Sequence, residues 1–151
     1  MPMKIVSHGT LAAMLLLAGC ATLEENAAEL VAKTHRATLS GSAVAGQAGD
    51  PDGYAKAELT VTDQLNGICY DLNDVRGLSE VTSVTINRGD PGASGPVVLR
   101  LTPANEGGWK NCVNRSEWLE DAMDNATERY YIQVATTEFP NGAIRGQFSR
   151  D

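Results

Sequence analysis

Apolar and polar residues alternate over much of the chain from residue 37 onward. In residues 55–61 (AKAELTV), Ala, Leu and Val occupy every second position between Lys, Glu and Thr. A period of two is typical of a β-strand with one buried face. Asn66-Gly67 is a strong turn signal. We therefore predict a hairpin between this strand and a second one, whose buried positions are Ile68, Tyr70 and Leu72.

Two further pairs of segments are predicted as strands. Residues 81–87 and 96–102 flank a turn-rich stretch, and residues 130–137 and 143–149 flank Pro140-Asn141-Gly142. Short strands separated by Gly, Pro and Asn turns predict an all-β sandwich or barrel. In the last pair the positions expected to face the core are Ile132, Val134, Ile144 and Phe148.

One segment has the period of a helix instead. Its apolar residues recur at helical spacing, and they are Trp118, Leu119, Ala122, Met123 and Ala126. The preceding residues 114–117 (NRSE) resemble a capping box. We predict one short amphipathic helix over residues 115–126, lying across an open end of the sandwich. Trp118 is expected to anchor it in the core, and the alternative is a ligand platform.

The first twenty residues have the order of a secretory signal. Lys4 supplies a positive charge, residues 11–17 are apolar, and two small residues lead into Cys20. The apolar run is shorter than the roughly 20 residues that span a bilayer. The ending Leu-Ala-Gly-Cys resembles a bacterial lipoprotein signal, which implies cleavage after residue 19 and lipid attachment at Cys20. An ordinary cleaved signal is the alternative.

This resemblance predicts where the protein resides. More than one acyl chain gives stable membrane anchoring, so the mature protein is expected to be anchored to a membrane through lipidated Cys20. Residue 21 is Ala rather than the Asp of the enteric inner-membrane retention signal, which favours the outer membrane of a bacterial envelope. Residues 20–36, which include His35, are interpreted as the lipid anchor and a polar, partly helical tether. A partner-binding helix is the alternative for the tether.

The remaining residues, 37–151, are predicted to form one domain. Removal of residues 1–19 leaves 132 of the 151 residues, enough for a real core. It also leaves 11 basic against 19 acidic residues, a net charge of −8. This charge argues against nucleic acid or anionic lipid headgroups as partners, since both require a basic surface.

The chain has three cysteines. With Cys20 assigned to the lipid, Cys69 and Cys112 form an even pair in an oxidising compartment, where a disulfide is expected. A redox or metal site is the alternative. It is disfavoured because the two residues lie far apart in the sequence and no histidine is near either of them.

Three blocks of the domain resemble the CHRD domain, a family first named in chordin and widespread in bacterial secreted proteins. They are residues 37–45 (ATLSGSAVA) with the strand at 57–62, residues 84–99 (VTINRGDPGASGPVVL) and residues 131–148 (YIQVATTEFPNGAIRGQF). The last block is the most specific, because PNGAIRGQF agrees with the family in order and spacing. The resemblance implies an immunoglobulin-like antiparallel β-sandwich.

The chain departs from this family at three positions. Many CHRD domains carry His-x-His in a middle strand and another His in the closing strand, an arrangement that can hold zinc or copper. The corresponding residues here are Thr85, Asn87 and Ala135. None of them replaces imidazole as a ligand for a transition metal. We therefore predict no metal site of this kind and no cofactor.

The loop before the strand at 96–102 and the closing strand are given structural roles. Gly89, Gly92 and Gly95 are expected to allow positive φ in a loop that crosses between strands. Arg145 is expected to reach carbonyls or a carboxylate of the neighbouring loop as a fixed fork of donors. A ligand clamp is the alternative role for Arg145.

Catalytic residues are not predicted. Serine hydrolysis needs a His or Lys base, but residues 37–151 contain no histidine, and Lys56 and Lys110 fall in no Ser-x-x-Lys arrangement. The leading hypothesis is a non-catalytic envelope domain that binds a protein or glycan partner or supports envelope structure. The alternative is a carboxylate-dependent enzyme acting on envelope polysaccharide.

Overall fold

The computed structural model describes residues 33–46, 49–62, 67–114 and 117–150. Its strands are β1 Lys33–Ser40, β2 Tyr54–Thr62, β3 Gly67–Arg76, β4 Val81–Arg88, β5 Val97–Arg100, β6 Trp109–Asn114, β7 Tyr130–Thr136, β8 Ile144–Gln147 and β9 Ser149–Arg150. One α-helix, α1 Glu117–Ala126, lies between β6 and β7, and short 3-10 turns span Gly41–Ala43 and Thr127–Arg129. The predicted signal, Cys20 and most of the predicted tether lie outside the described residues.

Antiparallel pairing joins these strands in the order β5-β4-β7-β8-β1-β2-β3-β6, with β9 beside β1. The junction between β8 and β1 is narrow, because Ser40 and Arg145 form its single register pair. The sheet is curled, and apolar residues from both sides of this junction share one core. Gly146 allows the close approach, since a Cβ at this position would lie 2.6 Å from the carbonyl oxygen of Thr38. The predicted all-β, sandwich-like fold is confirmed.

The β2–β3 hairpin is built as the alternation predicts. Its register pairs Val61 with Ile68 and Ala57 with Leu72. The predicted apolar positions of both strands are buried, whereas the residues between them are exposed or half-buried. Residues 63–66, which contain most of the predicted turn, lie outside the described residues.

The domain starts earlier than the sequence pattern indicates. β1 begins at Lys33, which pairs with Val61 of β2, so residues 33–36 belong to the sheet although they were assigned to the tether. His35 in particular is completely buried. Its placement in a solvated tether was wrong, because the register of β1 points every second side chain, from His35 through Ala37 to Leu39, into the domain.

Other strand boundaries differ in detail. The predicted strand at 143–149 is divided, because Phe148 turns into the core between β8 and β9. Strand β6 was not predicted. Its half-buried residues Trp109, Asn111 and Val113 alternate with exposed ones. The sequence does not show this alternation, because half-buried Asn111 is polar and exposed Cys112 is apolar.

The predicted helix is present as α1, and residues 115–116 lie outside the described residues. Leu119 and Met123, one turn apart, are fully buried. Trp118 is 54% exposed, so its prediction as a core anchor was wrong. Successive residues of a helix are about 100° apart, which places Trp118 beside the buried stripe rather than within it. No helix in the described part of the chain is long and apolar enough to cross a membrane.

The predicted disulfide joins Cys69 and Cys112. These residues face each other across the pairing of β3 with the edge strand β6. The loop that the bond closes includes β4 and β5, which lie at the opposite end of the strand order. The bond therefore constrains strands from both parts of the sheet.

We expect the Cys69→Ala/Cys112→Ala variant to lose stability because its unfolded chain regains the freedom of a 44-residue loop. The chain-entropy model gives a loss of about 4 kcal/mol in the free energy of unfolding. Denaturant unfolding followed by circular dichroism measures this loss. A reductant should destabilise the wild-type protein similarly and leave the variant unchanged. A variant as stable as the oxidised protein would contradict the prediction.

Candidate functional site

The outer face of the β4-β7-β8 layer is polar and buried. Its inner face contributes Val84, Ile132, Ile144 and other apolar residues to the core. The residues of the outer face that are at most 8% exposed are Thr85, Asn87, Tyr131, Ala135 and Arg145. Antiparallel sheets commonly leave one face in water. Here residues 89–96, which we call the glycine loop, fold across that face.

Arg145 on β8 is the central contact between this face and the glycine loop. Its guanidinium donates hydrogen bonds to the carbonyl oxygens of Ala93 at 2.8 Å and Asp90 at 3.0 Å. A third bond goes to Oε1 of Gln147 at 3.2 Å, and the group stacks 3.5 Å from the centroid of the Tyr131 ring. Arg145 is 1% exposed, and this burial lowers its pKa. The prediction that Arg145 binds carbonyls of the neighbouring loop is confirmed.

Three further side chains hold the two ends of the glycine loop. Gln147 donates to the carbonyl oxygens of Gly89 at 2.8 Å and Glu128 at 2.7 Å. At the other end, the amide of Gly95 donates to the Tyr131 hydroxyl at 3.1 Å, and Asn87 donates to the Gly95 carbonyl at 3.3 Å. Buried backbone groups require such partners. These side chains therefore replace the sheet pairing that the loop lacks.

The roles of Gln147 and Tyr131 in holding the glycine loop were not predicted from the sequence. The signal for Gln147 was present, because residues two apart in a strand share a face, and Arg145 and Gln147 have that spacing. Tyr131 lies opposite Gln147 in the β7–β8 register. This pairing depends on the register, which the sequence pattern alone does not show.

The three loop glycines do not share one role. Only Gly92 has a positive φ, of 78°, so the expectation of positive φ was wrong for Gly89 and Gly95. Gly95 is required by space instead, because a Cβ there would lie 1.7 Å from the carbonyl oxygen of Arg88. The loop packs so closely on β4 that no side chain fits at this position.

Two of the positions where the resemblance would place histidines, Thr85 and Asn87, are joined by a hydrogen bond. Thr85 and Asn87 lie on one face of β4, and the Thr85 hydroxyl donates to Oδ1 of Asn87 at 2.7 Å. Ala135 lies on β7 opposite Ser83. Within the described ranges, no group of three His, Cys, Asp or Glu side chains is arranged to hold a metal ion.

A cleft of about 410 Å³ lies between the glycine loop and residues 42–46. Pro91 and Gly92 line it on the loop side, and Arg145 and Gln147 lie at its base. Residues 90–94 form the exposed crest of the loop beside the cleft. The donors that hold the loop are directed at its own backbone, so the arrangement fixes the shape of a surface.

Two carboxylates that could be considered for the enzymatic alternative lie together elsewhere, and one of them, Glu58, was not among the residues considered from the sequence. Glu58 and Asp71 face each other in the β2–β3 register and line a cleft of about 500 Å³. Glu58 pairs with Arg36 at 3.0 Å, and Asp71 pairs with Lys110 at 2.8 Å. The hydrogen bond from Lys110 to Asp71 raises the pKa of Lys110. The two carboxylates therefore belong to a row of exposed ion pairs, which is an ordinary solvated arrangement.

Comparison with protein-family models shows that residues 35–148 match the CHRD domain. The match includes β4, the glycine loop and the β7–β8 hairpin, which together form the polar face. No curated protein and no solved structure gives a significant match.

We expect Arg145→Ala to destabilise the domain by about 3 kcal/mol, because it removes the charged donor of the Ala93 carbonyl and one of the two donors of the Asp90 carbonyl, which keeps the Ala93 amide. Arg145→Lys should recover little of this loss, since an ammonium lacks the planar fork of donors. Denaturant unfolding measures both variants.

Arg129→Ala is the matched control for these variants. It removes an exposed ion pair with Asp90, at 3.2 Å, from the same loop, and is expected to cost less than about 1 kcal/mol. Equal losses for the Arg129 and Arg145 variants would contradict the central role of Arg145.

Proposed function

The chain belongs to the CHRD domain family, and on that premise we propose that it is a bacterial envelope lipoprotein. It is anchored through lipidated Cys20, in the outer membrane, and presents its sandwich as a non-catalytic binding or supporting domain. CHRD domains form a β-fold family that is generally non-catalytic. The remaining elements of this proposal rest on the arguments that follow.

The observation that carries the non-catalytic role is the direction of the buried polar side chains. Arg145 and Gln147 belong to the block that most specifically resembles the family, and both bond to backbone carbonyls of the same chain. A catalytic or ligand-clamping arginine would direct its donors into a cleft. Arg145 and Gln147 instead stabilise the glycine loop.

The crest of the glycine loop is the surface that we propose for a protein or glycan partner. Residues 90–94 are exposed, yet the carbonyls of Asp90 and Ala93 are fixed by Arg145. A surface held in one conformation binds with a smaller loss of conformational entropy. The adjacent cleft adds a concave surface to this crest.

The order of residues 1–20 supports the membrane anchor, because small residues lead directly into Cys20 after a short apolar run. Lys33, the first residue of β1, lies 13 positions after Cys20, with twelve residues between them. A fully extended chain of that length spans at most roughly 45 Å. The anchor would therefore keep the domain close to the membrane surface.

We expect a lipid label on the wild-type chain and none on Cys20→Ala. Cells grown with labelled palmitate should incorporate it into the wild-type protein, which should sediment with outer membranes. Cys69→Ala/Cys112→Ala is the matched cysteine control and should keep the label. Unlabelled wild-type protein in the soluble fraction would refute the anchor and favour an ordinary cleaved signal.

A photo-crosslinking residue at Ser94 should capture the partner in intact cells, because Ser94 lies on the exposed crest of the loop. The same residue at Thr82, exposed near the other end of β4, should capture nothing specific. Mass spectrometry of the adducts identifies the partner. Equal yields at both positions, or none at either, would count against the loop as the binding surface.

A further inference from the structure

His35 is a completely buried histidine at the point where β1 meets α1. Its side chain contacts the 3-10 turn Thr127–Arg129 through Thr127 and the last turn of α1 through Asp124. The histidine belongs neither to the glycine loop nor to the proposed binding surface. The chain contains two histidines, and the other, His8, lies outside the described residues.

The hydrogen bonds around Thr127 determine which nitrogen of His35 carries the proton. The Thr127 hydroxyl lies 2.6 Å from the carbonyl oxygen of Met123. Since a carbonyl has no proton, the hydroxyl must donate its only one there. It then accepts from Nε of Arg150, at 3.2 Å, and from Nδ1 of His35, also at 3.2 Å. Neutral His35 therefore carries its proton on Nδ1.

This tautomer leaves two acceptors facing each other. The unprotonated Nε2 of His35 lies 3.7 Å from Oδ1 of Asp124. Among the described residues, both atoms are buried and neither has a hydrogen-bond partner. The other carboxylate oxygen of Asp124 forms an ion pair with Lys33. A proton on Nε2 would fill the gap between the two acceptors and would also place a positive charge inside the domain.

Burial and the surrounding charges together determine the effect of that proton. Asp124 on α1 attracts it, whereas Arg150 on β9 and Lys33 on β1 repel it. Burial is the largest influence, and together these effects lower the pKa of His35 below its ordinary value of 6.5. The neutral form is thus favoured in the folded protein.

We propose that His35 and Asp124 form an acid-sensitive latch between β1 and α1. Neutral His35 keeps α1 and β9 packed against the start of β1. Protonated His35 is a third positive charge beside Lys33 and Arg150, against the single carboxylate of Asp124. Acid therefore loosens these contacts, and the fully buried Leu119 and Met123 of α1 become accessible.

The direction of the pH dependence follows from linkage. A histidine whose folded pKa is depressed contributes stability that is complete above the unfolded pKa of 6.5 and is lost as pH falls through the folded pKa. Each unit between the two values corresponds to a tenfold change in the opening equilibrium. The proposed latch depends on contacts within the domain and not on lipidation. A result that refutes the lipid anchor therefore does not refute the latch.

Nitrogen NMR of the full-length chain in detergent tests the tautomer directly. His8→Gln removes the second imidazole, so the remaining signals belong to His35. At pH 8 we expect Nδ1 to be protonated and Nε2 to be free. A pH titration should then give a midpoint below 6.5. Protonation on Nε2, or a midpoint at or above 6.5, would overturn the proposal.

Hydrogen exchange of the α1 and β1 amides tests the loosening. After correction for intrinsic exchange rates, the opening equilibrium should rise about tenfold for each unit of depression measured by NMR. In His35→Gln this rise should disappear. In Asp124→Asn the amide can donate to Nε2 and the attracting carboxylate is gone, so the His35 midpoint should fall further.

Asp71→Asn is the matched control, because it removes a carboxylate from an ion pair far from α1 in the strand order. It should leave both the His35 midpoint and the exchange of α1 unchanged. If His35→Gln fails to fold, the tautomer of His35 and the change of its midpoint in Asp124→Asn still test the latch. Exchange in α1 that does not change with pH in the wild-type protein would overturn the latch.

Discussion

A buried guanidinium paired with carbonyl oxygens is the constraint on which the polar half of this domain depends. Arg145 is 1% exposed and is held by two backbone carbonyls, a side-chain amide and the face of Tyr131. Desolvating a cation is costly unless its donors are satisfied. The glycine loop satisfies them, and in return Arg145 satisfies carbonyls that have no strand to pair with. Each requires the other to be in place.

This mutual dependence explains why β4 and β7 are buried on both faces. Their inner residues fill the hydrophobic core, and on their outer face Asn87 and Tyr131 bond to Gly95 of the glycine loop. The loop must lie very close to β4, and the absence of a side chain at Gly95 permits this. On this face the Thr85 hydroxyl donates to Asn87, at the two positions of β4 where the sequence resemblance would place histidines.

Features that depend on residues close together in the sequence were predicted correctly, whereas features that depend on residues far apart in the sequence were not. The alternation in β2 and β3 is local, and it identified their buried residues correctly. The predictions for His35 and Trp118 were wrong because the burial of each side chain depends on residues that are distant in the sequence. His35 lies in a polar segment, yet the pairing of Lys33 with Val61 brings it into the domain. Trp118 is the largest apolar residue of α1, yet the helix is oriented by Leu119 and Met123. The contacts of Arg145 were anticipated because it follows the tight connection at residues 140–142, from which its fork of donors can reach a neighbouring loop.

The turn Thr127–Arg129 brings the glycine loop and the latch within two residues of each other. Thr127 accepts hydrogen bonds from His35 and Arg150. Two residues later, the Arg129 carbonyl accepts from the amide of Gly89 at 2.8 Å. Between them, the Glu128 carbonyl accepts from Gln147.

Because such a short turn cannot absorb a displacement without changing these bonds, a shift at Thr127 must be transmitted to Gly89 or break the contacts between them. The buried histidine and the exposed loop are thus parts of one hydrogen-bonded unit. A contiguous series of hydrogen bonds therefore joins His35, through residues 127–129, to Gly89 of the glycine loop.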